Sequence, residues 1–219
     1  GNSWNLNTNS SVALPSGKET SIFMIPGNSV KTISVVGSAL PNITGFDTRL
    51  DGGTQTANIG NANNATLGTG GTVGVDALPL PQLNGPEIQI TTSDGNIKQG
   101  VTVEGNNVTV RGIAIWNFAA DNRDLDNIYQ IGVLRLSGGN KAIVTGSVIE
   151  QNMVGLAATS MADPGGANGH SKGIGLAFAS NATVRNNLVG FNGGSGINVG
   201  GGADLLAGGN GGCNNDSCG

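Results

Sequence analysis

"NNVTVRGIAIWNF", residues 106–118, returns further along the chain as "SNATVRNNLVGFN", residues 180–192, with Asn, the Val/Thr alternation, Arg and a second Asn in matching places. A weaker echo, "GNKAIVTGSVIEQN" at 139–152, lies between them. Each copy alternates apolar with polar residues over a short run, which is the period of a half-buried strand. No segment sustains the three-and-four apolar spacing of a helix.

Aligning the copies places Val110, Val144 and Val184 in one position, each followed five residues later by Ile115, Ile149 or Val189. A second recurring strand reads "GVTV" from 100, "IGVLRL" from 131, "GIGLAF" from 173 and "GINV" from 196, and aligns Val101, Val133, Ile174 and Ile197. The shortest spacings give a coil of about 23 residues, within the range of solenoid periods. Stacked coils bury a continuous apolar column that no single coil could bury alone. The pattern therefore predicts an all-β solenoid of parallel strands. In it Asn107, Asn140 and Asn181 fall at one corner of successive coils, where their amides form a ladder.

These rungs resemble those of the right-handed parallel β-helices, the pectate-lyase-like superfamily. The stretch "IPGNSVKTISVVGSALPNITGFDTRLDGGTQT", 25–56, is similar to the lead-in segment of large secreted bacterial β-helix surface proteins, in which an "LP", an "I" and an "IDG.TQ"-like phrase precede the coils. The resemblance covers most of residues 20–200. It implies the fold and export, and it carries no shared catalytic motif, since relatives include adhesins, passenger stalks and polysaccharide-cleaving enzymes.

Composition narrows the classes. Apolar residues make up 37% of the 219 and charged residues 11%, with 39 glycines and a net charge of −4. With few, scattered basic residues there is no electrostatic footprint for nucleic acid. No apolar run approaches the roughly 20 residues of a membrane span, so no membrane insertion is expected. The chain starts at Gly1 with neither initiator Met nor signal peptide, as a mature or excised piece would. Cys213 and Cys218, in "CNNDSC", suit a small disulfide loop in an exported protein, with two idle thiols as the alternative.

The organisation expected is one domain, a fragment of a longer protein: residues 1–50 as N-terminal strands or cap, 51–87 as a Gly/Asn-rich excursion, 88–200 as the coils, and 201–219 as a Gly-rich tail. Two long corners, 116–132 and 150–173, leave neighbouring coils and should lie side by side. Recognition sites sit on such loops.

In the first loop, "NFAADNRDLDNIYQ", Asp121, Asp124 and Asp126 supply oxygen ligands of the kind calcium takes, although the spacing is not that of an EF-hand. A solvated loop with Arg123 pairing its neighbours is the competing reading. Trp116, Phe118 and Tyr129 cluster there and suit a carbohydrate site. The single histidine, His170, stands in the second loop, as an acid or base or simply solvated. Arg111 and Arg185 occupy matching outward strand positions, and Glu104, Glu150 and Asp163 are further carboxylates that nothing in the sequence pairs.

The function expected is that of a secreted or surface-displayed bacterial module, structural and adhesive rather than enzymatic. It would hold a polysaccharide or cell-surface glycan through Trp116, Tyr129, Arg123 and His170, with no certain cofactor besides the calcium option. The alternatives are a polysaccharide lyase or glycoside hydrolase using the same loops, and a filament subunit that self-associates or joins the rest of a larger surface protein.

Overall fold

The computed structural model describes residues 16–68, 71–73, 75–79, 82–118, 129–134, 142–165 and 171–200. Among them three parallel sheets dominate, and the chain visits the sheets in one order, five times over. The first round is β1 (Glu19–Ile22) in sheet 1, β2 (Lys31–Val35) in sheet 2, and a bridge from Ile43 to sheet 3. The second starts with β3 (Thr48–Asp51) in sheet 1 and leaves through the helix α1 (Gly53–Ile59). Two small antiparallel ladders follow, β4 (Thr66–Leu67) with β7 (Leu83–Asn84) around β5 (Thr72–Val73) with β6 (Leu78–Pro79). The chain then rejoins sheet 2 as β8 (Ile88–Thr92) and sheet 3 as β9 (Gln99–Val103).

The third round is β10 (Thr109–Arg111), β11 (Ile113–Trp116) and β12 (Tyr129–Val133), in sheets 1, 2 and 3. The fourth inserts a short strand, β13 (Val144–Thr145), before β14 (Val148–Glu150), β15 (Met153–Val154) and β16 (Lys172–Ala177). The fifth repeats that plan with β17 (Ala179–Ser180), β18 (Thr183–Arg185), β19 (Leu188–Val189) and β20 (Ile197–Gly200). β13 pairs only with β17.

Strand alternation sends one set of side chains into the space between the sheets. Leu50, Val110, Ile149 and Val184 stack in sheet 1. Ile33, Ile90, Ile115, Val154 and Val189 stack in sheet 2. Val101, Ile131, Ile174 and Ile197 stack in sheet 3. All of these but Ile197, which is half exposed, belong to or pack against one apolar core. Each side chain buried there contributes about 1.5–3 kcal/mol.

The register corrects the sequence alignment in two places. Ile149, not Val144, occupies the position of Val110 and Val184, while Val144 pairs with Ala179 outside the three main sheets. In sheet 3 the partner of Val101 and Ile174 is Ile131, and Val133 belongs to the next stack, with Val103, Leu176 and Val199. The phrase that opens the chain's repeat is also two strands rather than one. It bends at Gly112, whose φ is +67°, so "TVR" lies in sheet 1 and "IAIW" in sheet 2.

The corner before sheet 1 is made by backbone conformation. Asp47, Asn107 and Asn181 have φ of 55°, 56° and 50°, and Gly146 has 74°. Asn and Asp tolerate this left-handed region best among residues with a Cβ. Backbone bonds stack the corner: Asp47 N donates to Asn106 O, Asn107 N to Thr145 O, and Gly146 N to Ser180 O. Gly146 therefore separates Asn107 from Asn181, so the asparagine series expected at this corner is interrupted in its middle round. Asn140, assigned that middle place from sequence, lies outside the described residues.

An asparagine ladder does exist, at the next corner, between sheets 1 and 2. Asn152 is fully buried; its Nδ2 donates to Val110 O (3.0 Å) and its Oδ1 accepts from Ile113 N (3.3 Å). Asn187 repeats the arrangement one round on, donating to Ile149 O (2.8 Å) and accepting from Asn152 N (3.0 Å) and Nδ2 (3.1 Å). Each amide closes backbone groups that the bend takes out of the sheet ladders.

The excursion after β3 folds back onto the molecule. Thr54 Oγ1 of α1 accepts from Phe23 N, and the Gln55 amide bonds both Ile25 N and Ile25 O. Leu67 then meets Ala114, Met153, Leu156 and Ala158 in a second, smaller core on the outer face of sheet 2. Asn63 Nδ2 ties the two layers by donating to Pro86 O and Ala158 O.

Candidate functional site

Three groupings of polar side chains stand out among the described residues. The first surrounds Trp116. It ends β11 opposite Thr91, and alternation puts it on the outer face that Ala114 shares. The indole is half-buried. Asn117 follows with φ 70° and donates its amide to Thr92 O. Trp116 Nε1, Thr91 Oγ1 and Asn117 Oδ1 are buried and have no hydrogen-bond partner among the described residues.

Tyr129 is elsewhere, in sheet 3, and its exposure is only 3%. Its ring lies where a Cβ on Gly175 would sit, 1.9 Å from Cε1, so Gly175 is what admits the ring. Lys172 Nζ stands 5.2 Å from the ring centroid, a cation–π contact. Phe118 is fully buried in the main core, its backbone N–H and C=O held by the Gln130 amide. The three aromatics that cluster in the sequence are thus divided between an outer face, a strand interior and the column.

The second grouping runs down the outer face of sheet 1. Register places Asp51, Arg111, Glu150 and Arg185 in one file of alternating charge. Arg111 Nε is 3.6 Å from Asp51 and its Nη1 3.8 Å from Glu150, while Arg185 reaches Glu150 at 2.7 Å. Arg49 adds a 2.7 Å pair with Asp51. The recurrence of Arg111 and Arg185 in the sequence is accounted for by this file: each arginine neutralises an acid of an adjoining round.

The third is a polar cleft of about 360 Å3 where α1 leaves sheet 1 and the excursion returns. Thr56, Asn61, Gln82, Asn84, Arg111 and Gln151 line it. No motif announces this cleft, because its residues come from four separate stretches that meet only when the excursion docks.

At the corner between sheets 2 and 3, Asp94 accepts from the backbone and side-chain amides of Asn96 and from Gly37 N. The Asn96 bonds hold its carboxyl below the usual aspartate range. Glu104 is buried and accepts from Asn42 Nδ2 at 2.7 Å.

Arg123, His170 and the proposed calcium ligands Asp121, Asp124 and Asp126 lie outside the described residues, as do Cys213 and Cys218. Among the described residues no three acidic, histidine or cysteine side chains converge on a point that would hold a metal ion, and no helix is long and apolar enough to cross a membrane.

No family model matches the chain, and no match is found among curated proteins or solved structures.

Proposed function

We propose that the chain is a right-handed parallel β-helix of the pectate-lyase-like kind. Secreted or displayed on a bacterial surface, it serves as a stiff structural and adhesive module that holds glycan. The observation that carries this reading is the constant order in which the chain visits three parallel sheets around one apolar column. Such stacking makes a quasi-linear body whose excursions project without disturbing the core. Nearly all parallel crossovers are right-handed.

The adhesive part is supported by the Trp116 corner. A half-buried indole on the outer face of sheet 2 offers an aromatic surface on which a sugar ring can pack. The full chain, incubated with immobilised acidic and neutral polysaccharides in calcium or chelator, should be retained without forming new sugar ends. Trp116→Ala should weaken retention about tenfold, the equivalent of one good interaction. Unsaturated or newly reducing products would replace this reading with a polysaccharide-cleaving enzyme.

The ends of the column favour a second reading, a filament subunit. At the first round an apolar cavity of about 250 Å3 opens between Phe23, Ile33, Leu40 and Ile43. At the fifth, Ile197 is 51% and Val199 74% exposed. Light scattering that rises with protein concentration, and falls for Val199→Asp but not for Trp116→Ala, would support it. A monomer at every concentration would end it.

A further inference from the structure

We propose that the polar cleft between α1 and the returning excursion is a binding site for neutral saccharide, separate from the Trp116 corner. The inference rests on the adhesive reading and names a ligand class and a place for it. The cleft is built from independent parts of the chain: Thr56 from α1, Asn61 just after it, Gln82 and Asn84 from the return, and Arg111 and Gln151 from the corner between sheets 1 and 2. Its volume of about 360 Å3 falls at the small end of ligand sites, which suits a short saccharide.

The lining decides the ligand class. Thr56, Asn61, Gln82, Asn84 and Gln151 are all exposed, so one hydroxyl and four primary amides face solvent where they meet. An amide presents a donor and an acceptor side by side, the complement of neighbouring sugar hydroxyls, which also both donate and accept. Among the described residues no aromatic or large aliphatic side chain lines the cleft, which argues against nucleobases and apolar ligands.

Charge narrows the class further. Among the described residues Arg111 is the only cation in the lining, and it is already engaged. Its Nη2 donates to Gln151 Oε1 at 2.7 Å, and Asp51 and Glu150 flank it at 3.6 and 3.8 Å. Glu87, nearly fully buried at the cleft wall, accepts from Ala62 N and Asn63 N through Oε1. Among the described lining residues buried Glu87 offsets the one arginine, and Asp51 and Glu150 engage it further, so a phosphate, sulfate or uronate would depend on a positive charge that is already neutralised. A neutral sugar would not.

The geometry is held from behind rather than by the lining itself. Asn63 is fixed to Pro86 O and Ala158 O, and a Cβ at Gly85 would stand 2.3 Å from Asn63 Nδ2, so the return strand can approach only as glycine. Thr56 and Asn84 are therefore free to change without loosening the walls.

The test uses the full chain, a panel of neutral trisaccharides (gluco-, manno-, xylo- and galacto-configured) and a trigalacturonate, with binding read by NMR titration. At least one neutral trisaccharide should bind, and better than the uronate. The double variant Thr56→Ala/Asn84→Ala should lose about tenfold in affinity, with its melting temperature unchanged. Equal binding by the double variant, or preference for the uronate, overturns the cleft assignment. If the double variant still binds while Trp116→Ala does not, the cleft falls and the adhesive reading stands. If the wild-type chain binds no saccharide on the panel and is retained by no polysaccharide, both fall.

Discussion

The outer faces of sheets 1 and 2 are built by the same turns of chain, one bend apart, and they solve opposite problems. On sheet 1 the outward file is Asp51, Arg111, Glu150 and Arg185, alternating in charge and running from buried Asp51 to exposed Arg185. On sheet 2 the file in the same sense is Gln89, Ala114, Met153 and Leu188, and the excursion roofs its middle. Stacked identical rounds place like side chain on like. An open face must then alternate its charges, since like charges in direct register repel, whereas a covered face can collect apolar residues into a second core. The choice between them is made by whatever leaves the neighbouring corner.

Four substitutions test how far that contrast goes. Met153→Asp puts an unpaired carboxylate into the covered face and should cost about 4 kcal/mol. Chemical denaturation would measure it, and hydrogen exchange should show amides 62–67 opening before those of sheet 1. A loss no greater than that of a surface change would mean the excursion does not seal the face. Asn152→Ala, at the bend between the faces, strands Ile113 N and Val110 O inside and should cost about 2–4 kcal/mol. Asn187→Ala, one round nearer the less buried end, should cost less, and equal losses would break the idea of a graded ladder. Glu150→Gln should be the mildest, about 0–1 kcal/mol, since Arg185 is 61% exposed and solvent screens the pair. Its effect should vanish in high salt, and persistence there would mark the file as more than a surface device.

The parallel, almost wholly β character was legible because corner residues and alternating strands recur together. The round-to-round alignment was harder, for a specific reason. Val144, Ile149 and Val154 are spaced by five, and so are Val110 and Ile115. Sliding the middle round by one such step moves every apolar residue into another apolar slot, so hydrophobicity alone cannot choose. The Asn that follows the bend in the fourth and fifth rounds does choose: aligning Asn152 with Asn187, and the charged residues Arg111, Glu150 and Arg185, gives the observed register. In sheet 3 the ambiguity is two residues, Ile131 against Val133, and a two-residue slip keeps the same face inward. The Asn152–Asn187 ladder could have been read from "EQN" and "RNN", whereas the cleft could not. Its side chains converge only through the docking of residues 60–87, a long-range event that leaves no local period.

The spacing between stacked partners has a consequence for sequence change. Ile174 and Ile197 occupy successive rounds twenty-three residues apart, and Arg49 and Thr109 do so sixty apart, yet both pairs sit in the same kind of parallel register. Corners therefore accept inserted length of almost any size, while one residue added inside a strand would reverse which side chains face the column. The hairpin tip at Val75, wholly exposed, is such a corner. It is a natural graft point for a foreign peptide, carried on a scaffold whose rounds would not register the addition.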